Sequence, residues 1–251
     1  MPKLSVVIIT FNEEAQIGRC IDSVKGLADE VIVLDSYSTD KTEEICRQKG
    51  AGFHQHIFDG YIEQKNRALA LASFDFVLSL DADEELTEEL KTSIGEIKEN
   101  PPAMGFTMNR LNNYCGKWIR HGGWYPDRKL RLFDRRQARW EGVNPHDKLV
   151  LVSGTILHLK GDLLHYSYLS IEGHIKQVNN FTEIAAVSMF NRGIKAPVWK
   201  LIVNPSIMFL KSYIIKAGFL DGFSGYTISR ISSHATFVKY AKLKQLWMNK
   251  K

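Results

Sequence analysis

The sequence predicts an α/β fold built on a mostly parallel, Rossmann-like sheet, and three observations carry that expectation. Apolar, β-branched runs without interior charge recur at residues 4–10, 31–34 and 76–80, as strands covered on both faces require. Segments with helical apolar spacing separate these runs, giving alternating β and α units. Polar residues cluster where each run stops, and ligands of open α/β sheets bind beyond the carboxyl ends of strands.

In chain order, the first strand ends at Thr10, and Asn12 is expected to cap a helix in which Ile17, Cys20, Ile21 and Val24 share a face. Residues 30–35 repeat the pattern, followed by a Ser/Thr/Asp turn and a helix over 42–49 that Gly50 stops. A short strand near Phe53, a helix over 62–72 and a strand over 76–80 complete this half, and Glu84-Glu85-Leu86 opens the next helix. Beyond Pro101-Pro102 the strands are shorter and rich in Trp, Tyr and Arg, predicting a mixed insertion with strands over 105–111, 129–133 and 148–152. A helical pattern over 171–192 ends before Pro197. The expected organisation is residues 1–100, 101–170 and a helical, apolar and basic appendage over 171–251.

With 251 residues, 44% of them hydrophobic and 24% charged, the chain can bury a substantial core, which excludes disorder. The opening apolar stretch is too short for a signal peptide and fits a buried strand, so a cytoplasmic location is expected. Cys20, Cys46 and Cys115 are too far apart for a thiolate zinc site or a disulfide framework and are assigned to packing. The net charge of +5 is unevenly spread: residues 184–251 hold eleven Lys or Arg against one acid, Asp221, a surplus of +10 that leaves −5 for the rest. An acidic front excludes nucleic-acid wrapping, and a basic, apolar rear suits anionic head groups or an anionic acceptor.

Three strand ends carry the chemistry: Thr10-Phe11-Asn12-Glu13, Asp35-Ser36-Tyr37-Ser38-Thr39-Asp40 and Asp81-Ala82-Asp83-Glu84. Asp81 and Asp83, two apart in extended backbone, face one side and can hold a hard divalent cation, Mg2+ or Mn2+, bridging a diphosphate. Such a cation would neutralise charge on a departing nucleoside diphosphate. The same tripeptide also serves as a helix cap or solvated turn. Asp35, closing an apolar strand, is expected to contact a nucleotide, and Asp40 to cap the following helix.

Thr-Phe-Asn-Glu, Asp-Ser-x-Ser-Thr-Asp-x-Thr, Gln64-Lys65-Asn66-Arg67-Ala68 and Leu80-Asp81-Ala82-Asp83-Glu84, in this order, resemble family 2 inverting glycosyltransferases of the GT-A fold over roughly residues 1–90. Leu164-His165-Tyr166-Ser167-Tyr168, Leu220-Asp221-Gly222-Phe223-Ser224-Gly225 and Lys239-Tyr240 are similar to the bacterial lipopolysaccharide core β-1,4-glucosyltransferase group. The resemblance implies that Thr10, Asn12, Glu13 and Asp35 form the nucleoside side of the donor site. It implies that Lys65 reaches the base or phosphates, and that Asp81 and Asp83 manage ribose, diphosphate and metal. It also implies His165 as a further metal or diphosphate contact; a packed or surface histidine is the alternative.

An inverting transfer needs one carboxylate to take the acceptor proton. The resembling families place an acidic residue at the position of Asp147 within Trp140-Glu141-Gly142-Val143-Asn144-Pro145-His146-Asp147, although Asn144-Pro145 before it departs from their pattern; Glu141 is the second choice. For either acid the alternative is a surface ion pair with Arg131, Arg135 or Arg136. Between metal motif and base stand Trp124, Tyr125, Arg128 and Arg131, suited to stacking on sugar and to phosphate, with packing of Trp124 as the alternative.

Residues 201–220 are apolar but interrupted by Pro205, Lys211 and Lys216, a poor spanning helix and a better interfacial one; packing on the main domain or a dimer partner is the alternative. The resemblance implies transfer of a hexose, glucose first, from a UDP-sugar to a lipid-linked oligosaccharide such as the lipopolysaccharide inner core, at the inner face of the bacterial inner membrane. A capsule or other surface glycan is the second reading, and a non-catalytic membrane adaptor with an inherited fold the third. A dehydrogenase is disfavoured because no Gly-x-Gly-x-x-Gly follows the first strand, and a nucleotidyltransferase because residues 10–20 lack a glycine-rich basic loop.

Overall fold

A computed structural model describes residues 2–143 and 146–250. The elements run β1 (Leu4–Thr10), α1 (Ile17–Ser23), β2 (Glu30–Asp35), α2 (Thr42–Gln48), β3 (Gly52–Gln55), α3 (Tyr61–Leu71), β4 (Phe76–Asp81), β5 (Glu84–Leu86) and α4 (Glu88–Lys98). They continue with β6 (Gly105–Tyr114), β7 (Lys117–Ile119), β8 (Asp127–Asp134), β9 (Ala138–Val143), β10 (His146–Leu151), β11 (Ile156–Tyr168), α5 (Ile171–Asn191), α6 (Val198–Leu210) and α7 (Gly222–Asn249). The chain divides into two compact units, residues 1–110 with 128–165, and residues 111–127 with 166–251.

The first unit is the expected α/β layer structure. β1 pairs in parallel with β2 and β4, and β2 with β3, whereas β4 pairs antiparallel with β8 and β5 with β11, so the parallel half grades into a mixed sheet ordered β3-β2-β1-β4-β8-β6-β11-β5. Leu4, Val6, Ile8, Leu78 and Leu80 on one face pack with Ile17, Ile21, Leu90 and Ile94, and Val7, Leu34 and Val77 on the other pack with Ala68, Leu69 and Trp140. Because β1 and β4 are buried on both faces, their carboxyl ends are fixed in depth, and Thr10, Asp35 and Asp81 come level on the β1 register, where Thr10 pairs with Asp35 and Ile9 with Asp81. At Gly161 (φ +88°) a Cβ would meet the Leu90 amide nitrogen at 2.3 Å, so β11 passes the start of α4 too closely for any other residue.

Three expectations change here. Helix α1 begins at Ile17 with Gln16 at its cap, and Asn12 sits instead in the left-handed region (φ 54°) of the preceding loop. Glu84–Leu86 is a strand paired with Leu163–His165, and the helix starts only at Glu88, capped by Thr87 accepting from the Leu90 amide at 3.3 Å. Cys20 and Cys46 lie in the core, but Cys115 is exposed.

The second unit is mainly helical. Tyr114, Trp124, Tyr168 and His174 form an aromatic cluster, in which burial lowers the His174 pKa to about 4 and keeps the ring neutral. Helices α5 and α6 pack on α7. Pro205 does not stop α6: the helix continues to Leu210 and through a π-helical turn at Lys211–Ile215, and the Pro205 carbonyl accepts from Ser233 Oγ at 2.8 Å. Residues 198–215 are therefore long and apolar enough to cross a membrane by length and composition alone, and almost none of the segment is buried.

Candidate functional site

The loops after β1 and β2 are stitched together by side chains that sequence reading assigned to caps and nucleotide. The Asn12 amide donates to Ser38 Oγ at 2.7 Å and its Oδ1 accepts from the Thr39 amide at 2.8 Å. Asp40 accepts from the amides of Glu14 and Thr42, both at 3.0 Å, so it steadies the first turn of α2 from just outside it. Asp35 is fully buried and accepts from the Ser38 amide at 2.8 Å and from Gln55 Nε2 at 3.3 Å. Thr10 Oγ1, also buried, has no hydrogen-bond partner among the described residues.

Every polar residue of Gln64-Lys65-Asn66-Arg67 has a defined contact. Gln64 donates to Ser36 Oγ at 3.1 Å, and Arg67 pairs with Asp59 at 2.9 Å. Asn66 grips the backbone of Trp140 from both sides, donating to its carbonyl at 2.9 Å and accepting from its amide at 3.0 Å. That clamp sets β9 against α3. Lys65, almost completely buried, then places Nζ 3.0 Å from Asp81 Oδ1, 2.9 Å from Asp147 Oδ2 and 4.3 Å from the centre of the Trp140 ring. Asp147 faces the same side as Trp140 because it pairs with Gly142 across β9 and β10.

Arg131 is the second buried cation. From β8 it lies 2.7 Å from both Asp81 Oδ2 and Glu84 Oε1, and it too stands over Trp140. Burial alone would raise the Asp81 pKa, but Lys65 and Arg131 hold its carboxyl far below the usual carboxylate range. Glu84, 1% exposed, also accepts from the Asp81 amide at 3.0 Å, which locks the turn after β4. Arg131→Met would leave Glu84 and Asp81 short of a buried counter-charge at a cost of about 3–5 kcal/mol, lowering the Tm by roughly 10 °C in a thermal melt.

On the other side of the turn Asp83 Oδ2 lies 3.1 Å from His165 Nε2. Asp81, Asp83 and Asp40 also bear on Glu13. Burial first, and then these neighbouring acids, push the Glu13 pKa from 4.5 to about 7, with His165 opposing. Among the described residues no three side chains gather as a closed metal cage, because Asp81 is engaged by Lys65 and Arg131. Asp83 with His165 still suits a divalent cation that takes its remaining ligands from phosphate and water, and the excess of negative charge felt by Glu13 fits a site completed by a cation. For stability the sign is set by a raised acid: the folded chain holds the Glu13 proton more tightly than the unfolded one, so the contribution is full below pH 4.5 and lost as pH rises through about 7. Glu13→Gln should therefore gain Tm relative to the parent at pH 8 but not at pH 4; equal differences at both would show an ordinary carboxyl.

Glu141 pairs with Arg139 on the opposite face of β9 from Trp140, away from Lys65. Trp124 lies in the aromatic cluster of the second unit, and Arg128 is exposed on β8. Asn144 and Pro145 lie outside the described residues. Sequence reading quoted Glu84 and Trp140 within their motifs but gave neither a role in the site. A further carboxylate directly after Asp83, and an aromatic in the segment of the expected base, were the available signals.

Residues 5–150 match the family model of glycosyl transferase family 2. The chain belongs to glycosyl transferase family 2. A glycosyltransferase of Rickettsia typhi is 34% identical to it over 98% of this chain and 88% of its own length. The lipopolysaccharide core biosynthesis glycosyltransferase LpsC of Rhizobium meliloti is 29% identical over 98% and 94%. Among solved structures, glucosyl-3-phosphoglycerate synthase from Mycobacterium tuberculosis, in complex with Mn2+, UDP and glucosyl-3-phosphoglycerate, is 31% identical over 45% of this chain and 44% of its own, with a TM-score of 0.36. This family 2 glycosyltransferase has the GT-A α/β fold, and Lys65, Asp81, Arg131 and Asp147 all lie within the matched residues.

Proposed function

We propose that the chain transfers a hexose, glucose first, from a UDP-sugar to a lipid-linked oligosaccharide such as the lipopolysaccharide inner core, in a single displacement that inverts the anomeric carbon. The observation that carries this reading is the meeting at Lys65 of Asp81 from the donor end of the sheet and Asp147 from the hairpin, at 3.0 and 2.9 Å. Asp147 takes the acceptor hydroxyl proton as the acceptor oxygen bonds to the anomeric carbon, and the carbon–oxygen bond to the diphosphate breaks with its electron pair leaving on phosphate. Thr10, Asn12, Glu13 and Asp35 line the nucleoside side. Lys65 exchanges Asp147 for the diphosphate, which frees the base when donor is present, and Arg131 keeps Asp81 ionised.

Asp83 and His165, with Asp81 behind them, would hold Mg2+ or Mn2+, which when bound supplies Lewis-acid neutralisation of the leaving diphosphate. The similarity to LpsC supports a lipopolysaccharide-type acceptor, and the basic, apolar second unit supports work at the inner face of a bacterial inner membrane.

Incubating the protein with radiolabelled UDP-glucose, Mn2+ and a bacterial membrane extract tests the reading. Label should pass into lipid-extractable glycan with inverted configuration. Transfer into an aqueous polysaccharide alone would favour a capsule or other surface glycan, and absence of both transfer and donor hydrolysis with every sugar nucleotide tried would point to the non-catalytic adaptor.

A further inference from the structure

The second unit presents an apolar stripe that no other part of that unit covers. On α6 and the π-helical turn after it, Pro205, Phe209 and Ser212 meet α7. Phe209 stacks on Tyr213 and meets Tyr226 of α7 edge-on, Ser212 Oγ lies 3.0 Å from Ser229 Oγ, and Ser233 bonds to the Pro205 carbonyl. Around the rest of the segment Trp199, Ile202, Ile207, Leu210 and Ile214 are each more than half exposed, and no residue of α6 is buried. This exposed apolar surface continues into the turn beyond the helix, where Ile215 is 78% exposed and Phe223, at the start of α7, 76%.

Charge indicates what covers this stripe. Lys200, Lys211 and Lys216 lie within the same segment, and the only acid between Ile184 and the end of the chain, Asp221, is buried and accepts from the His121 amide at 2.8 Å. A segment that is apolar, carries lysines and has no exposed acid complements an anionic bilayer.

From this we infer that the Trp199–Phe223 face inserts in the plane of an anionic membrane, its apolar stripe at the depth of the upper acyl chains and its lysines among the head groups, without crossing. Length and composition would permit crossing. Crossing, however, would strip α6 from α7, breaking the Ser212–Ser229 and Ser233–Pro205 contacts and placing Lys211 in hydrocarbon. In-plane insertion keeps these contacts and still removes the large apolar side chains from water. The inference rests on the membrane placement proposed above and names the surface that makes it.

The test uses the full chain, mixed phosphatidylethanolamine and phosphatidylglycerol vesicles, and the double variant Ile202→Glu/Phe223→Glu. The parent should sediment with the vesicles, less so in high salt, and the double variant should bind at least about tenfold more weakly while retaining UDP binding. The part of the tryptophan emission lost in Trp199→Phe should be quenched most by acyl chains brominated near the head group. Equal vesicle binding by parent and double variant would sink this face while leaving membrane placement standing; no binding by the parent would sink both. Quenching strongest at the bilayer centre would mean a spanning helix. A lipid-free dimer that Ile202→Glu dissociates would make the stripe a subunit interface, and either result overturns the inference.

Discussion

Asp147→Asn is expected to reduce kcat for sugar transfer by about 10²–10⁴-fold, the range for loss of a general base, with donor binding nearly unchanged. The amide cannot take a proton, and it leaves Lys65 with Asp81 as its partner, so the buried ammonium is not stranded. Fluorescence titration with UDP separates this outcome from misfolding. A variant that keeps full turnover would remove Asp147 from the chemistry, and Glu141 on the far face of β9 would be the next residue to replace.

Asp83→Ala is expected to have a comparable or larger effect, of another kind. It removes the carboxylate 3.1 Å from His165 while leaving the Lys65–Asp81–Arg131 cluster intact, so the fold should melt within a few degrees of the parent. Transfer and donor hydrolysis should fall at least about 10³-fold, and added Mn2+ should no longer stimulate them. Isothermal titration of Mn2+ in the presence of UDP gives a readout independent of turnover: the parent should bind the cation and the variant should not. Normal Mn2+ binding by Asp83→Ala would assign the cation to another ligand set.

The sheet was legible because its signal is local. Continuous apolar runs such as Leu4–Thr10 and Phe76–Asp81 bury both faces, and charged residues enter only at their ends. The arrangement around Lys65 was less legible for the opposite reason. Its partner Asp147 is 82 residues away, and the encounter depends on the antiparallel register of β9 with β10 and on Asn66 holding Trp140. Arg131 looked like a phosphate ligand because an arginine in an aromatic-rich segment gives no sign of depth; only pairing of β4 with β8 buries it between Asp81 and Glu84. Asn12 misled for a local reason: asparagine serves equally at a helix cap and in a left-handed turn, and the contacts to Ser38 and Thr39 from the neighbouring loop select the turn.

The two-sided grip of Asn66 on the Trp140 backbone has a consequence for engineering. Because the helix that supplies Lys65 also anchors the hairpin that supplies Asp147, specificity cannot be transplanted by swapping the hairpin alone. A chimera would have to exchange the asparagine-bearing helix together with its hairpin, or find both ends of that attachment already matched in the recipient.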